Sequence, residues 1–356
     1  MAADAFTREL YQNIHRYFKD NNLSKLADRR MRIKVIASAV WWLGSLLLLF
    51  TLQLPLWGFA ALYLFHTFSQ IYIGLNIGHD ANHYAIFKNK RLSKVLSYSF
   101  DLVGLNARMW RQLHDVEHHN VMNIQGEDEN MEARGLLRYS IFRKWRPYYK
   151  FQHVYVYLLY MVFTTDWAFT KDFECYFFPY TKKMKQMKHS WKDYLSLFFW
   201  KSFYVSYMIV LPVMLLDLSF WTVFTLFLIG HAINGAFGAS IIQTSHSVEG
   251  AEHPASRKDY DHHVYHIFAT TTDYGVNSKF LFWFSGGLHL HVIHHLCPNV
   301  CHTHYPELTK IVKSTAEKYG VTYQENPTFL SAIRSHLSYL KHMGEEKNQL
   351  TLSQTA

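Results

Sequence analysis

The longest stretch of this chain without a charged residue runs from Val35 to His79, between Lys34 and Asp80. A bilayer core of about 30 Å is crossed by roughly 20 helical residues, and this stretch has 45. It therefore predicts two membrane crossings joined by a tight turn near residues 54–57. A soluble helical hairpin is the alternative, but it would have to cover all of these apolar side chains with protein.

A second apolar region begins at Tyr194 and is interrupted only by Lys201 and Asp217. Lys201 lies near enough to one end of the region for its ammonium group to reach water, and Asp217 is typical of a turn. This region predicts a third and a fourth span at 194–216 and 220–244. The chain is only 18% charged, below the roughly 25% of soluble domains, which fits a lipid-facing surface.

Every lysine and arginine except Lys201 lies before residue 35, between 80 and 193, or after 248. Because positive charge favours the cytoplasmic side, both termini and the central loop are predicted to be cytoplasmic. The sequence thus predicts an all-α integral membrane protein with four transmembrane helices in two hairpins and a cytoplasmic helical cap. The predicted regions are an N-terminal cytoplasmic segment 1–34, a membrane domain 35–248 with central loop 80–193, a cap 249–345 and a flexible tail 346–356.

Histidine is unusually frequent, with 23 residues, and three clusters stand out. Residues three or four apart on an α-helix share a face, so each cluster can direct its imidazoles at one point. All three clusters fall on the predicted cytoplasmic side. The eight histidines are His79 and His83 in box one, His114, His118 and His119 in box two, and His291, His294 and His295 in box three.

Eight histidines are too many for one metal ion and suit two ions that keep open positions. Ligation by nitrogen alone favours iron, copper, zinc or nickel over magnesium or calcium. A single histidine on an apolar face is more often a hydrogen-bonded core residue, but three paired boxes favour a shared metal site. The H-E-x-x-H pattern of zinc proteases is absent. A metal transporter is the alternative outside enzymes, but transporters place ionisable groups near the bilayer midplane.

At these boxes the sequence resembles the membrane fatty-acid desaturase superfamily, in its acyl-CoA (linoleoyl-CoA-type) and front-end branch. The resemblance covers about residues 35–345 and extends beyond the histidines themselves. It is carried by the stretches Asn76–His83, Ser245–Glu249, Ala269–Thr272 and Gly286–Pro298. Cys297 stands where the family usually has phenylalanine, and His291 where many front-end members have glutamine.

The resemblance implies two iron ions, molecular oxygen as co-substrate, and removal of two hydrogens from an unactivated C–C bond of a fatty-acyl chain. It also implies a ninth histidine ligand, for which His246 is the matching position. Gln243, one turn earlier, is a candidate for contact with the metal through water. The histidine site is expected in the cytoplasmic cap, beneath the bilayer.

Three further residues are candidates for supporting the ligands. His266 belongs to a reversed HH-x2-H pattern, and Asp80 and Asp128 could orient ligand imidazoles through their second ring nitrogen. Solvated carboxylates are the alternative for the two acidic residues.

Partners follow from the same resemblance. The heme motif of cytochrome b5 is not matched at His253–Ser256, so the electron donor is expected to be a separate ferredoxin or cytochrome b5. The acyl substrate could be linked to coenzyme A, acyl carrier protein or phospholipid, and the same scaffold could hydroxylate or form acetylenic bonds. A lipid bilayer, bacterial rather than endoplasmic, is expected, and nucleic acid is not.

Overall fold

The computed structural model describes residues 4–129 and 132–345. Over these residues the chain is almost entirely helical, and its two strands have only two residues each. The predicted all-α class is thus confirmed for the described part of the chain. The predicted flexible tail, 346–356, lies outside the described residues.

The helices are given in chain order. The first eight are α1 (Ala5–Asp20), α2 (Arg29–Thr51), α3 (Leu56–Ile73), α4 (His79–Asn82), α5 (Lys90–Ser97), α6 (Ser99–Leu102), α7 (Ala107–Arg111) and α8 (His119–Val121). The next six are α9 (Gln152–Asp166), α10 (Asp172–Phe177), α11 (Lys182–Gln186), α12 (Trp191–Val205), α13 (Leu211–Leu215) and α14 (Phe220–Gln243). The last five are α15 (His263–Thr270), α16 (Lys279–Phe284), α17 (His291–Leu296), α18 (Tyr305–Lys318) and α19 (Phe329–Met343).

Irregular helical segments and one small sheet complete the fold. The π-helical segments among the described residues are Gly74–Gly78, Gln112–His118, Trp167–Lys171 and Ser206–Val210. The 3₁₀ turns that lie wholly within the described residues include Ala133–Gly135, Pro147–Phe151, Arg257–Asp259 and His302–His304. Strand β1 (Asp273–Tyr274) pairs in parallel with β2 (Glu325–Asn326).

The chain divides into two compact units that do not follow the sequence in single blocks. The first unit comprises the described residues of Met1–Leu26, Leu113–Tyr157 and Ser240–Ala356. The second unit comprises Ala27–Gln112 and Leu158–Ala239. The domain boundaries predicted from sequence were drawn on charge and hydropathy, and they stay a prediction.

Three helical stretches of the described chain are long and apolar enough to cross a membrane: Arg29–Thr51, Trp191–Leu215 and Phe220–Gln243. They correspond to the predicted first, third and fourth spans. The predicted second span folds as α3, but polar residues such as His66 and Gln70 lower its mean hydropathy, and α3 is not among the three. The four-span topology therefore stays a proposal.

Polar side chains inside the second unit find partners within the protein. Ser45 on α2 lies 2.8 Å from Nδ1 of His66 on α3, and the hydroxyl of Tyr63 donates to the carbonyl of Met208 at 2.8 Å. Hydrocarbon offers no hydrogen-bond partner, so a polar group within a span must be satisfied in this way. These bonds join α3 to α2 and to the π-helical segment Ser206–Val210.

Lys201 does not reach water, and that expectation from the sequence is wrong. Its side chain is buried, and its Nζ donates to Oδ2 of Asp172 and to the carbonyl of Gly104, each at 2.6 Å. Asp172 also accepts hydrogen bonds from the backbone of Asn106 and from the indole of Trp167. The carboxylate of Asp172 and the carbonyl of Gly104 thus take the place of water as partners of the ammonium group.

The first unit has its core between α1, α15, α17 and α18. The apolar face of α1, with Leu10 and Ile14, is buried together with Leu308 and Val312 of α18. Asp4 caps α1 by accepting from the backbone of Thr7 at 2.7 Å. The same apolar cluster includes the residues of α17 that separate the histidines of box three, so α17 is held on a packed surface.

Candidate metal centre

Box two lies on the π-helical segment Gln112–His118 and the first residue of α8. A π-helix closes its hydrogen bonds between residues five apart, so it brings the fifth residue onto the face that an α-helix gives to the fourth. Nε2 of His119 accordingly lies 3.2 Å from Nε2 of His114, and the ring of His118 lies 5.4 Å from that of His114. All three imidazoles therefore share one face.

Box three lies on α17, a helix of six residues that are all buried. Asp273 in β1 caps the start of this helix. Its Oδ1 accepts a hydrogen bond from the backbone N–H of Val292 at 2.9 Å. The hydroxyl of Tyr323 donates to the other carboxylate oxygen of Asp273. A carboxylate at a helix N-terminus satisfies backbone donors that otherwise lack partners. The sheet and the box-three helix are thus tied together.

His246 stands in the turn that follows α14. Its Nδ1 donates to the carbonyl of Thr270 at 3.2 Å, and its own carbonyl accepts from Asn123. The residue is buried. The sequence predicts that the chain after α14 leads into the site. The imidazole of His246 accordingly lies in the interior of the first unit.

Four imidazole nitrogens meet in the first unit. Nε2 of His246 lies 3.1 Å from Nε2 of His118, 2.8 Å from Nε2 of His291 and 3.3 Å from Nε2 of His295. Metal–imidazole bonds of about 2.1 Å place neighbouring ligand nitrogens roughly 3.0–3.4 Å apart. Two of the three observed separations fall in this range and the third, 2.8 Å, is slightly shorter, so these four residues are arranged as a set that could hold one metal ion.

The outer ring nitrogens show which atoms carry lone pairs. Nδ1 of His118 faces a carboxylate oxygen of Asp128 at 2.9 Å, and Nδ1 of His246 and of His291 face backbone carbonyls. Carbonyl and carboxylate oxygens only accept, so each Nδ1 carries the hydrogen, and in the neutral form of such a ring Nε2 is left with a bare lone pair. Three lone pairs directed at one point repel one another, and a cation between them removes that repulsion.

Burial keeps the rings in the ligating form. Burial lowers the pKa of His246 and of His295 well below the ordinary value of histidine, and nearby histidines lower both further. Neutral imidazole is the form that binds metals. The donor set is nitrogen only, which fits iron and excludes magnesium and calcium.

A second group of histidines adjoins the first within the same unit. His119, His294 and His295 each offer a nitrogen, and these nitrogens lie within 4.8 Å of one another. The ring of His114 is stacked on that of His294 with centroids 5.6 Å apart. Two groups of nitrogen donors that share His295 are compatible with the two metal ions that the number of histidines predicts.

The two histidines of box one lie together in the second unit. The rings of His79 and His83 have centroids 4.6 Å apart, and both pack edge-on against Trp110. A carboxylate oxygen of Asp80 lies 3.5 Å from Nδ1 of His79. Here too a π-helical segment, Gly74–Gly78, precedes the box.

Of the predicted supporting residues, Asp128 contacts a ring of the four-histidine group, and two others do not. His266 is stacked on Tyr260. Its Nε2 donates to the backbone carbonyl of Met122 at 2.9 Å, and this bond fixes the segment that follows box two. It is not part of the histidine groups found among the described residues. Gln243 accepts a hydrogen bond from Ser247 at 3.2 Å.

The sequence reasoning missed Asn123 and Asp273. The amide of Asn123 donates to the carbonyls of His246, Glu252 and Thr270 at 3.0–3.1 Å, and its backbone N–H donates to Asp128. Asn123 has φ of 60°, a conformation that asparagine tolerates better than most residues. An asparagine four residues after a histidine pair is too common a pattern to predict this clamp, and Asp273 is eighteen residues from box three.

Comparison with known proteins agrees with this site. A family model described as fatty acid desaturase matches residues 55–327. The chain is 31% identical to an acyl-lipid (8-3)-desaturase of Physcomitrium patens, over 96% of this chain and 73% of the relative. It is 30% identical to a sn-1 linoleoyl-lipid 6-desaturase of Synechocystis sp., over 96% of both proteins. A sn-1 linoleoyl-lipid 6-desaturase of Arthrospira platensis is 25% identical, over 95% of this chain and 92% of the relative.

The chain belongs to the fatty acid desaturase family, as the histidine boxes predicted. It is an oxidoreductase that acts on fatty acids. The relatives are acyl-lipid desaturases of the front-end type, so the resemblance to that branch is confirmed. With its three apolar helices, the protein is a membrane protein.

Proposed function

We propose that this protein introduces a carbon–carbon double bond into the acyl chain of a membrane lipid, with two iron ions and molecular oxygen. The lipid-linked substrate is favoured over coenzyme A or acyl carrier protein because the relatives are named for acyl-lipid substrates. Iron bound by the histidines supplies the oxidant that removes two hydrogens from an unactivated C–C bond. Desaturation is favoured over hydroxylation by the same relatives.

The observation that carries the proposal is the meeting of Nε2 lone pairs from His118, His246 and His291, within 2.8–3.1 Å of the central one. These rings bind and orient the metal, and their buried surroundings exclude water from it. Asp128 fixes the ring of His118 through its outer nitrogen. The nine proposed iron ligands are His79, His83, His114, His118, His119, His246, His291, His294 and His295.

The residues of box one enter this proposal on the strength of the sequence. His79 and His83 match the first histidine box of the family. His79 begins α4 and His83 directly follows it, and the closeness of their rings is compatible with ligation. Gln243, His266 and Asp80 are proposed as supporting residues that act without binding iron directly.

The proposed setting is the cytoplasmic side of a bacterial cell membrane. All lysines and arginines but one lie in segments assigned to that side, and four spans return both termini to it. The cytoplasmic cap would include box three. Each turnover needs two electrons besides the two from the substrate, and we propose that a separate ferredoxin or cytochrome b5 delivers them.

The test is lipid analysis of a bacterial host that expresses the protein with a compatible reductase system. Wild-type protein is expected to yield lipids with an additional double bond, and the His118→Ala variant is expected to yield none. The matched control is His15→Ala, because His15 is exposed on α1. Iron content of the purified proteins should fall in His118→Ala and stay at the wild-type level in His15→Ala.

Two results would contradict the proposal. Products that gain one oxygen atom instead of losing two hydrogens would identify a hydroxylase. The proposed metal centre would be contradicted if folded wild-type protein, purified from iron-supplemented cells, carried no iron.

A further inference from the structure

Helix α16 presents aromatic side chains to the outside of the first unit. It has six residues, Lys279–Phe284, and begins after Ser278, whose side chain accepts from the backbone of Leu281 at 3.2 Å. Leu281 is buried, whereas Phe280 is 63% exposed and Trp283 is 38% exposed. One face of this short helix is thus part of the fold, and the other carries apolar side chains that are partly or largely exposed.

The exposed side chains of Phe280 and Trp283 are here called the aromatic surface. The ring of Phe280 is stacked on that of Phe284, with centroids 4.5 Å apart. This part of the chain lies in the predicted cap, outside the three apolar helices. In a purely aqueous setting such a surface would be an unfavourable exposure of apolar area.

The inner face of α16 is tied to the end of a candidate span. Leu281 packs in one cluster with Tyr274 and Ala332. The hydroxyl of Tyr274 donates to the carbonyl of Ile241 at 3.0 Å. Ile241 lies in the last turn of α14, and α14 is a helix able to cross the membrane. Helix α16 is therefore linked, through Leu281 and Tyr274, to the last turn of α14.

We propose that α16 is an interfacial helix whose exposed side chains, Phe280 and Trp283, lie in the headgroup region of the membrane. Tryptophan is enriched at this depth because its ring is amphipathic, and short apolar faces flanked by lysine bind lipid surfaces. The exposed Lys279 precedes Phe280 and can reach lipid phosphates. The occupant of the aromatic surface is the bilayer, and not a protein partner.

The position of α16 links the membrane to box three. The chain leaves α16 at Phe284 and turns through Gly286 and Gly287, both with positive φ, before α17 begins at His291. A Cβ on Gly287 would lie 3.0 Å from the Cβ of His302, so this turn is closely packed. This step rests on the proposed function. If it is correct, an acyl lipid would meet the protein beside α16, next to helix α17, which would hold the metal.

The experiment measures depth and does not depend on activity. The three native cysteines are buried, so a Phe280→Cys variant can be labelled selectively with an environment-sensitive fluorophore in the full-length protein. The labelled protein is placed in nanodiscs of phosphatidylethanolamine and phosphatidylglycerol. The matched control is Gln12→Cys, on the exposed side of α1.

The label at 280 is expected to be quenched by lipids carrying a nitroxide near the headgroup, and to be shielded several-fold from iodide relative to the label at 12. Equal quenching by iodide at both positions would overturn the proposal. Shielding from both quenchers would also overturn it, because it would indicate a protein partner or a second copy of the chain. A wild-type protein without desaturase activity would refute the proposed function but would leave the measured depth of α16 unaffected.

Discussion

Asp128 contacts a proposed iron ligand at the ring nitrogen that faces away from the other histidines. Its carboxylate receives the Nδ1 hydrogen of His118 at 2.9 Å and the backbone N–H of Asn123 at 3.0 Å. A carboxylate in this position fixes the tautomer and makes the other ring nitrogen a stronger donor to metal. The sequence could suggest this role for several acidic residues, but only the fold selects Asp128 for His118.

The Asp128→Asn variant should bind iron about 10–100-fold more weakly, or lose activity by a similar factor, because the amide keeps the shape but not the charge. Iron per protein and the rate of double-bond formation are the two measurements. The control is Asp261→Asn, because Asp261 is exposed. Unchanged iron affinity in Asp128→Asn would show that the carboxylate merely fills space.

The ion pair between Lys201 and Asp172 gives a second prediction at this scale. Replacing Lys201 with methionine leaves the buried carboxylate without its cation, which costs about 3–5 kcal/mol of stability. The Lys201→Met, Asp172→Asn double variant should recover much of that loss, because no uncompensated charge remains. Apparent melting temperature in detergent measures both, and a double variant no more stable than the single one would contradict the pairing.

At the scale of elements, the sequence predicts helix positions better than helix types. The predicted fourth span, 220–244, matches α14 within one residue at its end because it is bounded by changes in polarity. The π-helix that carries box two could not be predicted, since the i, i+4 spacing of its histidines suits an α-helix equally well. The role of Asp273 was missed because this residue caps a helix that begins eighteen positions later, and such a contact depends on the tertiary fold.

Helix α19 is attached to the site by a buried histidine. Nδ1 of His336 donates to the carbonyl of Ser247, next to the proposed ligand His246. Burial lowers the pKa of His336 to about 4, whereas an unfolded histidine has a pKa of about 6.5. Because the folded pKa is the lower one, the neutral ring stabilises the fold fully above about pH 6.5, and this contribution is lost as the pH falls towards 4.

The prediction compares the pH dependence of thermal stability in the wild type and in the His336→Gln variant. Between pH 6.5 and 4 the wild type should lose more thermal stability than His336→Gln, in which an amide can donate to Ser247 but does not titrate. Apparent melting temperatures over this range, measured with the same detergent, provide the comparison. Parallel pH profiles for the two proteins would contradict the assigned pKa shift of His336.

At the scale of the whole molecule, the charge pattern and the hydropathy lead to different numbers of spans. Helix α3 is not among the helices apolar enough to cross a membrane, yet it lies between α2, which is one of them, and box one. If α3 crosses as proposed, the turn 52–55 faces the outside. A four-span protein and a three-span protein then differ in the side on which box one emerges.

Labelling of intact cells distinguishes these topologies. Cysteines placed at Gln53 and Ser219, both exposed in turns between helices, should react with a membrane-impermeant maleimide added outside. A cysteine at Gln12 should react only after the membrane is opened. Reaction of Gln53→Cys without reaction of Ser219→Cys would mean an odd number of crossings between them and would refute the four-span arrangement.

The buried partnership of Lys201 and Asp172 also bears on how the protein is made. An ammonium group in a span raises the cost of transferring that span from the translocation channel to lipid, by about 2.5–3.5 kcal/mol near the helix centre. Asp172 precedes Lys201 in the chain, so the ribosome has already synthesised the counter-ion when α12 emerges. The ion pair therefore allows helix α12 to leave the channel together with a segment, made earlier in translation, that neutralises its charge.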